Sequence, residues 1–103
     1  MIARIWTGAV RTEDGDAYAA YIGETGLAGY RATPGNRGAW LLRRDVGDRT
    51  EFVAFTLWDS LDAIKAFAGA DPTRAVIEPE ARALLSTFDT EAKHYELAHD
   101  ARV

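Results

Sequence analysis

The apolar run EFVAFTLW (51–58) constrains the fold more than any other part of this sequence. Its β-branched and aromatic residues are typical of a strand. Successive side chains of a strand point to opposite faces of its sheet, so one face carries Phe52, Ala54, Thr56 and Trp58, and the other carries Val53, Phe55 and Leu57. Both faces are apolar. A sheet that contains this strand must therefore be covered on both sides.

Three further segments have strand character. Residues 2–10 alternate and are rich in Ile, Trp and Val, and residues 39–44 (AWLLRR) are joined to 51–58 by a segment with the turn signal Gly47-Asp48. The last two runs therefore predict a β-hairpin. The segment AKHYELA (92–98) predicts the final strand.

Helical spacing marks the segments between the strands. The first helix carries Tyr18, Tyr21, Ile22 and Thr25 on one face, and Gly26 is placed to end it. The loop YRATPGNRG (30–38) follows. A second helix begins after a cap at Asp59 or Ser60 and is broken by Asp71-Pro72. A third helical piece begins near Pro79 and continues with apolar spacing to Phe88.

The order β-α-β-β-α(-α)-β is that of a ferredoxin-like α+β sandwich, with helices on one face of a four-stranded antiparallel sheet. The 103 residues predict a single domain with a C-terminal tail at about 99–103. Because the uncovered face of the sheet is also apolar and aromatic, we expect two sheets to pack face to face in a homodimer.

Composition excludes several classes of partner. The net charge is −4, and basic residues are dispersed, so neither nucleic acid nor an anionic membrane is expected as a partner. The chain has no cysteine, which excludes disulfides and thiolate chemistry. No segment reaches the ~20 apolar residues of a membrane span. The segment MIARIWTGAV, with Arg4 inside its apolar run, does not resemble a signal peptide, so a cytoplasmic protein is expected.

Two motifs resemble the antibiotic biosynthesis monooxygenase superfamily, whose members are small dimeric α+β-barrel proteins. They are PGNRG (34–38) and FTLWDSLDAIKAFAGADP (55–72), and the likeness covers residues 2–98. The resemblance implies a pocket between the sheet and its helices for a flat aromatic or other small organic molecule. Members oxidise quinone precursors without metal or flavin, or degrade haem.

The residue sets of these members match this chain poorly. Where haem-degrading members have Asn, Trp and His, this sequence has Thr7, Phe67 and Ile77, so haem degradation by that mechanism is not expected. Where quinone-forming members have Asn, Trp, Tyr and Arg, it has Ala54, Trp58, Ile64 and Glu78. Only Trp58 is kept.

Two residues are candidates for catalysis. Trp58 could stack on a planar substrate or donate its indole N–H to a developing oxyanion, and the alternative is a tryptophan of the core or dimer interface. His94 could transfer protons near neutral pH, and the alternative is a structural or exposed histidine. Since His94 and His99 point to opposite faces of a strand end, they do not form a metal pair.

Candidate substrate-binding residues are mostly aromatic. Trp6 is expected as a pocket wall, Tyr21 and Thr7 are expected as polar anchors, and Phe67 and Trp40 complete the predicted set. Tyr18 and Tyr30 also surround the first helix, where a phenol could donate to a substrate oxygen or belong to the core.

The functional hypothesis is a monooxygenase that needs no cofactor and acts on a small aromatic or phenolic molecule. The alternatives are a dimer that binds a small molecule without turnover, and a purely structural dimer. No metal site and no cofactor are predicted.

Overall fold

A computed structural model describes residues 1–102, so Val103, the last residue of the predicted tail, lies outside the described residues. It contains one antiparallel sheet of five strands: β1 (Ile2–Arg11), β2 (Asn36–Val46), β3 (Arg49–Trp58), β4 (Leu85–Phe88) and β5 (Lys93–Glu96). The order is β2-β3-β1, and both β4 and β5 pair with the second edge of β1. The predicted α+β ferredoxin-like fold is confirmed.

The predicted number of four strands was wrong, because two short strands share the fourth position. β5 pairs with Ile2–Ile5 of β1, and β4 pairs with Gly8–Val10. The third helical piece was predicted to reach Phe88, but its helix ends at Leu84. The following residues LSTF (85–88) alternate and contain β-branched Thr87, and pairing with β1 favours the extended form.

The first helix is longer than predicted. α1 (Gly15–Tyr21) continues through a π-helical segment (Ile22–Gly26) into α2 (Leu27–Ala32). Gly26 does not end the helix, since its φ of −64° is helical. Its lack of a side chain weakens the helix without forbidding it, and burial of Tyr30 on the far side favours the extra turns. Tyr30 is therefore helical, although the sequence placed it in a loop.

The remaining helices have clear end signals. α3 (Leu61–Ala68) begins at Ser60, whose Oγ accepts a hydrogen bond from the Ala63 amide at 3.2 Å. It ends before Gly69, whose φ of 96° is left-handed, and so ends earlier than the predicted break at Asp71-Pro72. α4 (Pro79–Leu84) begins with its proline in the first turn. None of the helices within residues 1–102 has the length and apolarity needed to cross a membrane.

The two faces of the sheet have different surroundings. The predicted hairpin of β2 and β3 is present, and its side chains on one face lie under the helices. The opposite face, which we call the open face, carries Ala3, Ile5, Thr7, Trp40, Leu42, Val53, Phe55, Leu57 and Tyr95. Trp40 is 43% exposed, Leu42 52% and Tyr95 52%. Part of this second apolar face is therefore open to solvent, whereas Ala3 and Leu57 on the same face are buried.

Candidate functional site

A cavity of about 320 Å³ lies on the helix side of the sheet. The core consists of two clusters, one around Trp6, Tyr18 and Phe52 and the other around Tyr30 and Trp58, and residues of both clusters line the cavity. The cavity therefore separates two halves of the core. Its size lies at the lower end of the ~300–1,000 Å³ that small-molecule sites occupy.

The helical segment from α1 to α2 forms one side of the cavity. It contributes Tyr18, Tyr21, Ile22, Thr25, Leu27 and Tyr30. In the π-helical part, the hydroxyl of Thr25 donates to the carbonyl oxygen of Tyr21 at 2.7 Å, which satisfies a backbone acceptor inside the irregular turn. Single π turns are frequent at functional sites, because they shift which side chains face a cavity.

Aromatic rings form much of the wall. The rings of Tyr30 and Phe67 are 4.5 Å apart and tilted by 35°, and the ring of Trp6 lies on the sheet side. The indole N–H of Trp6 donates to the carbonyl oxygen of Asp89 at 2.7 Å, which fixes the orientation of this ring. A flat aromatic ligand would find stacking surfaces on two sides.

The buried polar groups of the wall are Arg4 and two phenols. Arg4 is 3% exposed, and its guanidinium lies over the ring of Phe67 at 5.6 Å from the centroid. Burial raises the pKa of Tyr18 and that of Tyr30, and in Tyr30 the charge of Arg4 opposes the shift. Both phenols are therefore protonated at neutral pH and available as hydrogen-bond donors.

Acidic groups lie at the exposed side of the cavity. The hydroxyl of Tyr21 donates to Oε2 of Glu80 at 3.1 Å, and the exposed Glu78 belongs to the wall. Desolvation raises the pKa of Tyr21, and its hydrogen bond to Glu80 adds to the shift. Within residues 1–102, no three potential ligands from His, Asp and Glu cluster in a way that could hold a metal ion.

Three predicted substrate-binding residues line the cavity, namely Trp6, Tyr21 and Phe67. The structure places the other two elsewhere. Thr7 pairs with Val53 and Trp40 pairs with Phe55, so both belong to the open face and do not contact the cavity. The alternation of the strands accounts for this, since Thr7 follows Trp6 directly.

Trp58 lies behind the wall and does not line the cavity. It is fully buried, and its ring packs against Tyr30 and Phe67 with centroids 6.3 and 5.7 Å away. Its indole N–H donates to Oγ1 of Thr56 at 2.8 Å. The donor that the sequence offered to a substrate oxyanion is therefore already used inside the protein.

His94 is the neighbour of Arg4 across the sheet and does not line the cavity. The register pairs His94 of β5 with Arg4 of β1, which puts both side chains on the helix face. The Nε2 atom of His94 is buried and has no hydrogen-bond partner within residues 1–102. Burial lowers the pKa of His94 from its ordinary value of 6.5, and the charge of Arg4 lowers it further. His94 is therefore neutral at pH 7.

The lowered pKa of His94 makes the fold sensitive to acid. Above pH 6.5, neither the folded nor the unfolded form binds the proton, and as pH falls below 6.5 the unfolded chain binds it first. We expect the free energy of unfolding to fall in this range and the loss to shrink in His94→Gln. Urea denaturation from pH 7.5 to 5 measures the slope, with His99→Gln as the control. Equal slopes in wild type and His94→Gln would contradict the prediction.

Arg4 is the site residue that sequence reasoning missed. A signal was present, since Arg4 shares its strand face with Ile2 and Trp6 and is the one charged residue in an apolar alternation. The phenols of Tyr18 and Tyr30 were candidates, but the position of Tyr30 on a helix became evident only in the structure.

Comparisons with known proteins agree with this fold. The family model described as "Antibiotic biosynthesis monooxygenase" matches residues 1–79. No protein of curated function matches the sequence.

Solved structures of similar fold share little sequence with this chain. A candidate antibiotic biosynthesis monooxygenase from Bacillus cereus has a TM-score of 0.71 and 17% identity, with 100% of this chain and 96% of that chain covered. The haem degrader MhuD from Mycobacterium tuberculosis, with two haems in its active site, has a TM-score of 0.67, 20% identity and coverage of 99% and 100%. The monooxygenase ActVA-Orf6 of Streptomyces coelicolor, bound to nanaomycin D, has a TM-score of 0.61, 18% identity and coverage of 99% and 89%.

Proposed function

This chain belongs to the antibiotic biosynthesis monooxygenase family, and we propose that it oxygenates a small phenolic or enolic aromatic molecule without a cofactor. The observation that carries the proposal is the cavity of about 320 Å³ between the two core clusters, lined by aromatic rings and phenols. A site of this size and composition binds flat, largely apolar molecules. Two solved structures of similar fold also hold flat multi-ring ligands, nanaomycin D in one and haem in the other.

The chemistry needs only the substrate and O2. Loss of a proton to solvent from a phenol or enol gives an anion with carbanion character, which transfers an electron to O2 and then combines with the resulting superoxide. The peroxide anion takes up a proton from solvent. The hydroperoxide that forms at a ring CH2 carbon loses water, which leaves a ketone carbonyl at that carbon. The substrate supplies all the electrons, and the protein contributes orientation, exclusion of water and stabilisation of the anion.

The size of the cavity favours a ligand of two or three fused rings over a tetrapyrrole. A haem iron in the cavity would meet no imidazole, since neither His94 nor His99 lines it. Two of the positions aligned with haem-degrading residues, Phe67 and Ile77, do line the cavity, but they offer only apolar side chains.

We also propose that a second copy of the chain covers the open face. Trp40, Leu42 and Tyr95 are all more than 40% exposed there. Trp40 and Leu42 pair with the half-buried Phe55 and Val53, and Tyr95 pairs with Ala3 on the far side of the sheet. A continuous apolar patch of this kind marks an interface. A symmetric pair of sheets would bury the same residues from both copies.

Oxygen uptake with an anthrone or a polyhydroxynaphthoquinone of the flaviolin type tests the oxygenase. We expect uptake above the buffer rate, and we expect Ala54→Leu to reduce it at least about tenfold, because Ala54 lies in the cavity wall and a larger side chain occupies ligand space. Stability should change little, since the added isopropyl group enters the cavity and does not displace packed side chains. An oxygen electrode and urea denaturation measure the two effects.

The matched control is Ala66→Leu, the same change at an exposed position of α3. Uptake that never exceeds the buffer rate across such phenols would contradict the oxygenase. If the same phenols quench tryptophan fluorescence by binding, the alternative of a binding protein without turnover would replace it.

A further inference from the structure

We propose that Arg4 makes the cavity selective for aromatic ligands that carry an oxyanion, with the phenol of Tyr30 as a second donor to that oxyanion. The inference concerns the same cavity and rests on the proposed function for its chemical meaning. The ligand class is defined by one shared feature, a negatively charged oxygen on a flat aromatic body, which a phenolate, an enolate or an aromatic carboxylate can supply.

The first observation is a buried positive charge without a counter-charge. Arg4 is 3% exposed, and no carboxylate within residues 1–102 forms an ion pair with it. Burial lowers the pKa of Arg4, but a guanidinium remains charged throughout the physiological pH range. A buried charge without a partner is strongly unfavourable, so such a group is rarely retained unless something else pairs with it.

The second observation is that the hydrogen-bonding capacity of Arg4 is largely unused. A guanidinium has five N–H donors. The side-chain bond formed within residues 1–102 runs from Nη2 to the carbonyl oxygen of Arg74 at 3.0 Å. The Nε atom is buried and has no partner in the described chain. A guanidinium binds the two oxygens of a carboxylate with two parallel N–H groups, and one oxyanion can also accept from both.

The third observation is that Arg4 is held in position beside the cavity. The Arg74 carbonyl binds one end of the guanidinium, and the ring of Phe67 lies against its face at 5.6 Å. Arg4, Phe67 and Tyr30 all belong to the cavity wall. A ligand ring that stacks on the wall therefore brings its oxygen near a positive charge that is already ordered.

Tyr30 adds a neutral donor next to this charge. Its ring packs between Phe67 and Trp58, and Phe67 is the same ring over which the guanidinium of Arg4 lies. Since the phenol is protonated at neutral pH, it can donate to a ligand oxyanion but cannot itself neutralise Arg4.

The proposal has a chemical consequence for the oxygenase. A positive charge in a site of low dielectric constant favours the ionised form of a bound phenol. The phenolate is the electron-rich form that reacts with O2, so Arg4 would promote deprotonation without a dedicated base in the cavity wall.

The test compares two ligands that differ in charge, 2-naphthoate and 2-naphthamide, by quenching of tryptophan fluorescence, to which Trp6 in the wall contributes. Wild type should bind naphthoate at least about tenfold more tightly. Arg4→Met, which keeps the length and apolar stem, should weaken naphthoate binding roughly 100-fold and leave naphthamide binding within about twofold. Arg4→Lys should recover part of the loss.

A stability measurement separates ligand recognition from a structural role. If Arg4 serves the ligand, Arg4→Met should raise Tm in the absence of ligand, because it removes a buried unpaired charge. A lowered Tm would assign Arg4 to the fold and overturn the proposal. Arg82→Met is the matched control, since Arg82 also lies over a ring, that of Phe88, but is exposed and outside the cavity.

A second binding experiment tests phenols and uses 4-nitrophenol, whose phenolate absorbs visible light. Binding to wild type should lower its apparent pKa by about one pH unit, and Arg4→Met should abolish the shift. A shift with no preference for naphthoate identifies a phenolate site, and a preference with no shift identifies a carboxylate site, and both support the proposal.

The outcomes distinguish this inference from the proposed function. Equal binding of naphthoate and naphthamide by wild type, with no shift for 4-nitrophenol, overturns the role of Arg4 even if Arg4→Met fails to fold, while an aromatic-binding cavity stands. Selective naphthoate binding without oxygen uptake would support the role of Arg4 and contradict the oxygenase activity. If no aromatic ligand binds, both the role of Arg4 and the oxygenase activity are contradicted.

Discussion

Replacing Trp58 with alanine is expected to lower the free energy of unfolding by about 3–5 kcal/mol, the largest loss from any single side chain of this core. Trp58 is fully buried and packs against Tyr30 and Phe67. Its removal leaves a cavity behind the wall and removes the N–H that donates to the buried hydroxyl oxygen of Thr56. Since the free energy of unfolding of a domain of this size is only about 5–15 kcal/mol, this substitution would remove a large share of it. Urea denaturation followed by far-UV circular dichroism measures it.

The control is Leu61→Ala, at a side chain of α3 that is 40% exposed, which should cost less than about 1 kcal/mol. Trp58→Phe separates packing from chemistry. If Trp58 acts by packing, the phenylalanine variant should retain most of its ligand binding and oxygen uptake in proportion to the fraction folded. A folded Trp58→Phe variant that binds ligand but has lost oxygen uptake would indicate a direct role in chemistry.

The substitution Leu42→Glu is expected to convert a dimer into a folded monomer and to raise the dissociation constant at least about 100-fold. Leu42 lies on the open face in β2 and is 52% exposed in the single chain, so glutamate costs the protomer little. In a symmetric dimer the same change enters the interface twice, and burying carboxylates without partners is strongly unfavourable. Size-exclusion chromatography with light scattering measures the mass at micromolar concentration.

Leu61→Glu is the matched control, because it makes the same change at an exposed position on the helix side. It should leave the mass of the assembly unchanged. A wild-type protein that is monomeric at micromolar concentration would contradict the dimer itself. A dimeric Leu42→Glu would show that the open face is not the interface.

Local signals predicted most elements of the fold correctly. The hairpin of β2 and β3 followed from two apolar runs and the turn at Gly47, and α3 followed from the cap at Ser60. The errors occurred where tertiary pairing overrode local preference. Residues 85–88 continue a helical apolar spacing, but an unpaired edge of β1 lies within reach of them. A glycine such as Gly26 is typical of a helix end. Here the helix continues through Gly26, because the residues that follow it bury the side chain of Tyr30.

The position of some candidate residues in the cavity wall followed from the sequence, and their binding roles stay predictions. Trp6, Tyr21 and Phe67 are in the cavity wall as expected, since strand alternation and helical spacing fix the inward face of an element. Thr7 and Trp40 belong to the open face, and the roles of Trp58 and His94 stay predictions. The sequence alone could not show that Arg4 lacks a counter-charge, because that depends on every carboxylate that the fold brings near or keeps away.

The order of elements and the presence of two apolar sheet faces were determined by the sequence itself, because periodicity and turn chemistry are local properties. The tertiary structure decided how the core divides into two clusters around a cavity, and which buried groups remain unpaired there. Those features depend on packing between residues as distant in the chain as Arg4 and Arg74. The role that we propose for the guanidinium of Arg4 therefore depends on neighbours that only the folded chain brings near it.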